Sequence, residues 1–139
     1  TGLSLVLEDD FVMNDAKKLE RLQEALKMVP DDWDIIRFEC WGMDGKVVRK
    51  INRFVSDTSR YTCRSATQCS FCGGTHSMLF RGSTVHKLRE MWSTVPYENM
   101  DCIIAKWGKN HDLKSYCINI GIGDLYRIES ELSDVSKLD

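Results

Sequence analysis

Three carboxylates in a row, Glu8-Asp9-Asp10, follow directly on an apolar run, Leu3-Ser4-Leu5-Val6-Leu7. Adjacent carboxylates repel one another, and the arrangement is costly unless water or a cation neutralises it. A hard divalent cation such as Mg2+ or Mn2+ takes oxygen ligands of this kind. Holding a diphosphate, it would stabilise charge that develops on a leaving phosphate. The plainer alternative is a solvated loop entering a helix, where acidic residues suit the positive end of the helix dipole. A second cluster is Cys63, Cys69, Cys72 and His76. Its residue types suit a Cys3His zinc site, and Cys69-Ser70-Phe71-Cys72 is also a C-x-x-C pair of the redox kind. The six cysteines could pair in any of 15 ways. Their spacing does not resemble a small secreted disulfide scaffold, which favours free or partly buried thiols and fits a cytosolic setting.

The elements that must position these groups read as an α/β alternation. Leu3 to Leu7 has the continuous apolar character of a strand buried on both faces, as in a parallel sheet covered by helices. Asn14 or Asp15 caps a helix over Ala16–Val29, with Leu19, Leu22, Ala25, Leu26 and Val29 forming a 3.6-residue stripe. Pro30 stops it, and Asp34 to Glu39 reads as a second buried strand, completing a βαβ-like unit. Val47 to Phe54 reads as a strand of a hairpin. Ser56 to Cys72 is polar and irregular, with a short strand at Tyr61-Thr62-Cys63. Gly73-Gly74 opens a strand over Thr75–Phe80, and Ser83 caps a helix presenting Val85, Leu88, Met91 and Trp92. A shorter helix starts at Asn99 or Asp101, and Leu113 to Ile118 forms a last strand. In open α/β sheets, ligands bind at the carboxyl ends of the strands, which is where the acidic triplet falls.

The chain has 139 residues with a formal net charge of −2, 42% hydrophobic and 29% charged. That composition fits one globular domain and excludes wholesale disorder and fibrous classes. A near-neutral charge gives no case for nucleic-acid binding, which needs a basic face. No apolar run reaches the roughly 18–20 residues of a transmembrane helix.

Taken in order, several segments resemble glycosyltransferase family 25, which includes lipooligosaccharide galactosyltransferases and collagen hydroxylysine galactosyltransferases. These are the strand into Glu8-Asp9-Asp10-Phe11-Val12, then Val29-Pro30-Asp31-Asp32-Trp33-Asp34-Ile35-Ile36, similar to the family's P-x-D-W-D-I. Gly74-Thr75-His76-Ser77-Met78-Leu79-Phe80, Pro96 to Asp101, and Ser130 to Val135 follow. The resemblance implies a GT-A-like (Rossmann-like) mixed sheet with flanking helices. It implies transfer of a sugar, galactose in the family's named members, from a UDP-sugar to a glycan, lipooligosaccharide or hydroxylysine-type acceptor. Transfer would be metal-dependent (Mn2+ or Mg2+) and inverting. Glu8, Asp9 and Asp10 stand where the family has its D-x-D-like motif, with Asp10 as metal ligand and Glu8 either as a second ligand or facing the ribose of the sugar nucleotide. Asp9 would point away, since alternate strand residues face opposite sides. His76, His111 and Asp134 are candidates for a further ligand. Asp101 is the candidate general base for the acceptor hydroxyl, with an N-cap role as the alternative. His76, Thr75 and Trp41 are the candidate substrate contacts, Trp41 by stacking on a sugar ring. Trp33 and Trp41 otherwise read as core. Arg49, Lys50 and Arg53 read as a solvated basic run, or as a contact for anionic acceptor lipid.

Family members carry about a hundred residues ahead of the acidic triplet, so the resemblance makes residues 1–139 the carboxyl-terminal part of a GT-A domain. The bacterial branch would be cytoplasmic, at the inner membrane surface, and the collagen-modifying branch would sit in the ER lumen. Two other readings stay open. One is a truncated or degenerate transferase-like module that binds a glycan or protein partner without catalysis. The other is a small zinc-stabilised module built on the cysteines.

Overall fold

The computed structural model describes residues 2–8, 11, 16–38, 48–65, 68–71, 73–75, 77–94 and 99–119. Strand β1 (Leu3–Leu7) precedes helix α1 (Ala16–Leu26), and β2 (Ile35–Arg37) follows. Next come β3 (Arg49–Lys50), β4 (Val55–Asp57), β5 (Tyr61–Ser65), β6 (Gln68–Phe71) and β7 (Ser77–Arg81). A 3-10 turn at Gly82–Thr84 leads into α2 (Val85–Thr94), then α3 (Met100–Asn110) and β8 (Ser115–Ile118).

Six strands form one open mixed sheet in the order β1-β7-β2-β8-β4-β3, and β5 and β6 form a separate two-stranded sheet. β7 runs antiparallel to both β1 and β2, so β1 and β2 are parallel to each other. β8 is parallel to β2, and β4 is antiparallel to β8. The βαβ-like unit is therefore present with one strand interposed: β7 lies between its two strands. The carboxyl ends of β1, β2 and β8 share one edge of the sheet with the amino end of β7.

Two cores sandwich the sheet. On one face, Leu22 and Ala25 of α1, with Val29 beyond it, pack against Ile36, Phe38, Val55, Tyr116 and Ile118. On the other, Leu88 and Met91 of α2 and Ile103 and Ile104 of α3 pack against Ile35, Met78, Phe80 and Leu113. This alternation follows from the period of two along each strand, which sends Ile35 and Ile36 to opposite faces. Met91 is fully buried, and truncating such a side chain to alanine costs about 2–5 kcal/mol.

β1 departs from the expectation of burial on both faces. It is an edge strand with β7 as its partner, and Leu3 is 64% exposed, Leu5 52%, Val6 46% and Leu7 47%. Leu5 stands opposite Leu79, so Leu3, Leu5 and Leu7 share the α1 side of the sheet. The core contacts of α1, however, lie over β2, β4 and β8. An apolar run reports composition, and it carries no count of the strands beside it.

Other boundaries shift for local reasons. α1 ends at Leu26, and Val29 is buried from the turn that follows. Of the expected strand over Val47–Phe54 only Arg49–Lys50 is strand, and β4 begins beyond it at Val55, because Asn52 Oδ1 accepts the amides of Phe54 (3.0 Å) and Val55 (2.9 Å) and closes a turn. The 3-10 turn before α2 has no side-chain cap, so Ser83 does not fill that role. Gly82 is needed there: its amide donates to Gly2 O at 2.7 Å, and an added Cβ would stand 2.8 Å from that oxygen.

Candidate functional site

Glu8 directly follows β1, and the Phe11 amide donates to Glu8 O at 3.1 Å, closing a turn after the strand. Because β7 is antiparallel to β1 with Leu7 opposite Ser77, the residues just before β7 arrive beside Glu8. The Thr75 hydroxyl donates to Glu8 Oε1. Gly74 has φ of 95°, a left-handed conformation that favours glycine. Its amide donates to Asp101 Oδ2 at 3.3 Å. Asp101 sits in the first turn of α3, where a carboxylate suits the helix dipole, and its Oδ1 accepts the Cys102 amide at 2.8 Å. Two hydrogen bonds, Thr75 to Glu8 and Gly74 to Asp101, thus tie Glu8 and Asp101 to the same two consecutive residues at the carboxyl edge of the parallel strands.

Three of the expected site residues, Glu8, Thr75 and Asp101, come together in this way. Asp9, Asp10, His76 and Trp41 lie outside the described residues, as does Asp134. His111 is separated from the group. It follows the far end of α3, and at 1.5 Å per residue the helix sets it about 15 Å from Asp101, which removes it as a further ligand to a cation near Glu8. The oxygen donors of Glu8 and Thr75 suit a hard divalent cation rather than a soft one. Among the described residues no group of three or more His, Cys, Asp or Glu side chains converges.

Arg37 was passed over by sequence reading. It is 2% exposed and ends β2 at the same edge of the sheet. The available signal was a cation inside the apolar stretch Ile35-Ile36-Arg37-Phe38, since arginine is seldom buried without an anion or a dense set of acceptors.

The segment resembling P-x-D-W-D-I lies at the opposite edge, where β2 begins, and acts as a clasp. Asp34 is 7% exposed. Its carboxylate accepts Lys87 Nζ (3.0 and 2.9 Å), the Thr84 hydroxyl (3.1 Å) and the Lys114 amide (3.0 Å). Burial by itself would raise the carboxyl's pKa, but the Lys114 amide, the Lys87 ammonium and the Thr84 hydroxyl outweigh it and hold it below the ordinary 3.8. Asp32 accepts the Tyr116 hydroxyl at 2.8 Å. Burial and that carboxylate together push the Tyr116 phenol well above its usual value. The Arg81 guanidinium lies 4.5 Å over the Trp33 ring, and Trp33 packs at the margin of the α1-side core, as a core role requires.

The basic run is partly neutralised within the chain. Arg49 pairs with Asp57 at 3.3 Å, and Arg53 pairs with Glu24 while stacking over Phe54. Cys102 and Cys117 carry thiols rather than disulfides. Among the described residues no helix is long and apolar enough to cross a membrane. In comparisons with known proteins, the chain matches no family model and no curated sequence.

Proposed function

We propose that this chain carries the metal- and acceptor-side part of a GT-A-like glycosyltransferase, moving a sugar from a UDP-sugar to a hydroxyl acceptor. The observation that supports the reading most is that the consecutive residues Gly74 and Thr75 hydrogen-bond to Asp101 and to Glu8 respectively. These bonds join positions 27 and 67 residues apart in sequence at the edge where α/β sheets bind ligands. Glu8, together with Asp10 of the same acidic triplet, would hold Mn2+ or Mg2+. When bound, the cation offsets negative charge on a leaving diphosphate. Thr75 orients the Glu8 carboxylate by its hydroxyl. Asp101 retains acceptor capacity beyond its two backbone bonds and takes the acceptor hydroxyl's proton as that oxygen attacks.

The test is calorimetric titration of UDP into the protein with and without Mn2+, for the wild type and for Asp10→Ala. Binding is expected to need Mn2+ and to weaken at least about tenfold in the variant, the loss of one hard ligand. Equal Mn2+-dependent binding in the two proteins overturns the reading. Silent heats from a chain that circular dichroism shows to be folded would favour instead a transferase-like module that binds without catalysis.

A further inference from the structure

Outside the site, the two-stranded sheet places two cysteines together. In the β5–β6 ladder Tyr61 stands opposite Phe71, Thr62 opposite Ser70, and Cys63 opposite Cys69. Beyond that pair the register slips, and Ser65 stands opposite Gln68. Cys63 and Cys69 are therefore the last pair in regular register before the bulge. Directly opposed residues of an antiparallel ladder have Cα atoms about 4.5–5.5 Å apart, and a disulfide spans about 4.4–6.8 Å. Opposed residues also share one face of the ladder. From this register we infer that Cys63 and Cys69 form a reversible cross-strand disulfide that fastens the β5–β6 hairpin.

The hairpin has reason to need a fastening. It consists of two strands alone, and a lone two-stranded ribbon is marginally stable in water. β5 lies against α3, whose first turn carries Asp101. β6 leads along the chain through Gly73 and Gly74 to Thr75. The bridge would therefore restrain the segment that delivers Gly74 to Asp101 and Thr75 to Glu8. The inference concerns the hairpin and stands whether or not the site transfers a sugar.

The chemistry is thiol–disulfide exchange with a small-molecule disulfide such as oxidised glutathione. The thiolate of one cysteine attacks the glutathione disulfide, forms a mixed disulfide and releases one glutathione thiolate. The second thiolate then attacks the protein-side sulfur, closes the bridge and releases the second glutathione. Two protein thiols are oxidised, and one glutathione disulfide is reduced to two glutathiones.

The experiment equilibrates the protein in glutathione buffers from fully reduced to fully oxidised, quenches with acid and alkylates the remaining thiols. Intact mass and non-reducing peptide mapping follow, on the wild type and on Cys63→Ser, Cys69→Ser and Cys72→Ser. Two of the six thiols should disappear on oxidation, so the alkylated protein should carry four added groups instead of six. The mapped link should join the Cys63 and Cys69 peptides. It should persist in Cys72→Ser and vanish in the other two variants. A Cys69–Cys72 link in the wild type, no link at any buffer composition, or stoichiometric zinc held by these thiols overturns the inference. The wild-type mapping decides this by itself even if a serine variant fails to fold.

Discussion

Replacing Asp34 with alanine tests the clasp at the amino end of β2. The carboxylate accepts four hydrogen bonds from three groups, and these are not lost equally. The Thr84 hydroxyl also lies 3.2 Å from the Asp34 carbonyl, so it can turn to the backbone and loses little. The Lys87 side chain is 41% exposed and rehydrates, so its pairing contributes at most about 1 kcal/mol. The Lys114 amide keeps no such substitute, and a bond from an amide to a charged acceptor contributes about 1.5–3 kcal/mol. Relief of the burial cost of the carboxylate offsets part of this. The net expectation is a loss of about 2–3 kcal/mol, or roughly 6–12 °C in Tm for a chain of this length. Glu24→Ala is the control. It removes an ion pair whose side chains are 65% and 52% exposed, and it should change stability by no more than about 0.5 kcal/mol.

Urea unfolding read by tryptophan fluorescence measures both variants, with Cm expected to fall for Asp34→Ala at unchanged m. The pH dependence carries a second signature. The folded carboxyl titrates below the unfolded value of 3.8, so its contribution is complete above about pH 5 and is lost as pH falls through the folded value. The gap between wild type and Asp34→Ala should therefore close on acidification. A gap under about 1 kcal/mol at neutral pH, or one that stays constant from about pH 5 to about pH 2.5, refutes the reasoning.

At the candidate site, Thr75→Val removes the hydroxyl that holds Glu8 and should weaken Mn2+-dependent UDP binding by about fivefold or more, a loss near 1 kcal/mol, with Tm nearly unchanged. Calorimetry and a thermal melt on the same sample separate the two effects. Gly74→Ala forces a Cβ into a left-handed conformation at φ 95° and should cost about 1–2 kcal/mol, checked by urea unfolding, with Gly74→Asn costing less. Leu5→Lys on the exposed edge strand should raise solubility and lower self-association in light scattering, with stability changed by about 0.5 kcal/mol or less. Tyr116→Phe deletes a bond to Asp32 and should cost about 1 kcal/mol. Because the folded phenol titrates above the unfolded value of 10.0, wild-type stability from this group declines as pH rises past about 10, and the variant should lack that decline in alkaline melts.

Much of the sheet and helix pattern was legible because burial leaves a period. α1 declares its inner face through Leu22, Ala25 and Val29, and α2 does so through Leu88 and Met91. β2, β7 and β8 are apolar runs bounded by turns. The β5–β6 hairpin was largely hidden, because Arg64, Ser65, Thr67 and Gln68 give it no apolar alternation. The placement of β7 between β1 and β2 was also invisible, since it depends on pairings between segments about forty and about seventy residues apart. At the site, Glu8, Thr75 and Asp101 could be singled out because their types and element ends carry chemical meaning. The clasp around Asp34 could not, because its partners Thr84, Lys87 and Lys114 are ordinary surface residue types scattered along the chain. Arg37 was legible in kind but overlooked, since one charge within an apolar strand is easily read as a surface face.

The strand order also sets a timetable. Among neighbours in the six-stranded sheet, only β3 and β4 are consecutive along the chain. β1 is made before its partner β7, which spans Ser77–Arg81, so the strand waits until the intervening stretch of about seventy residues has been made. β2 waits longer, because one of its flanks is completed by β8 at Ser115–Ile118. Pairings of such long sequence separation slow folding and leave apolar strands exposed on the way. Glu8 can meet Thr75 only after that wait, so the candidate site is assembled long after its first carboxylate has been made, and chaperone demand should be greatest while Leu3, Leu5 and Leu7 are still without a neighbour.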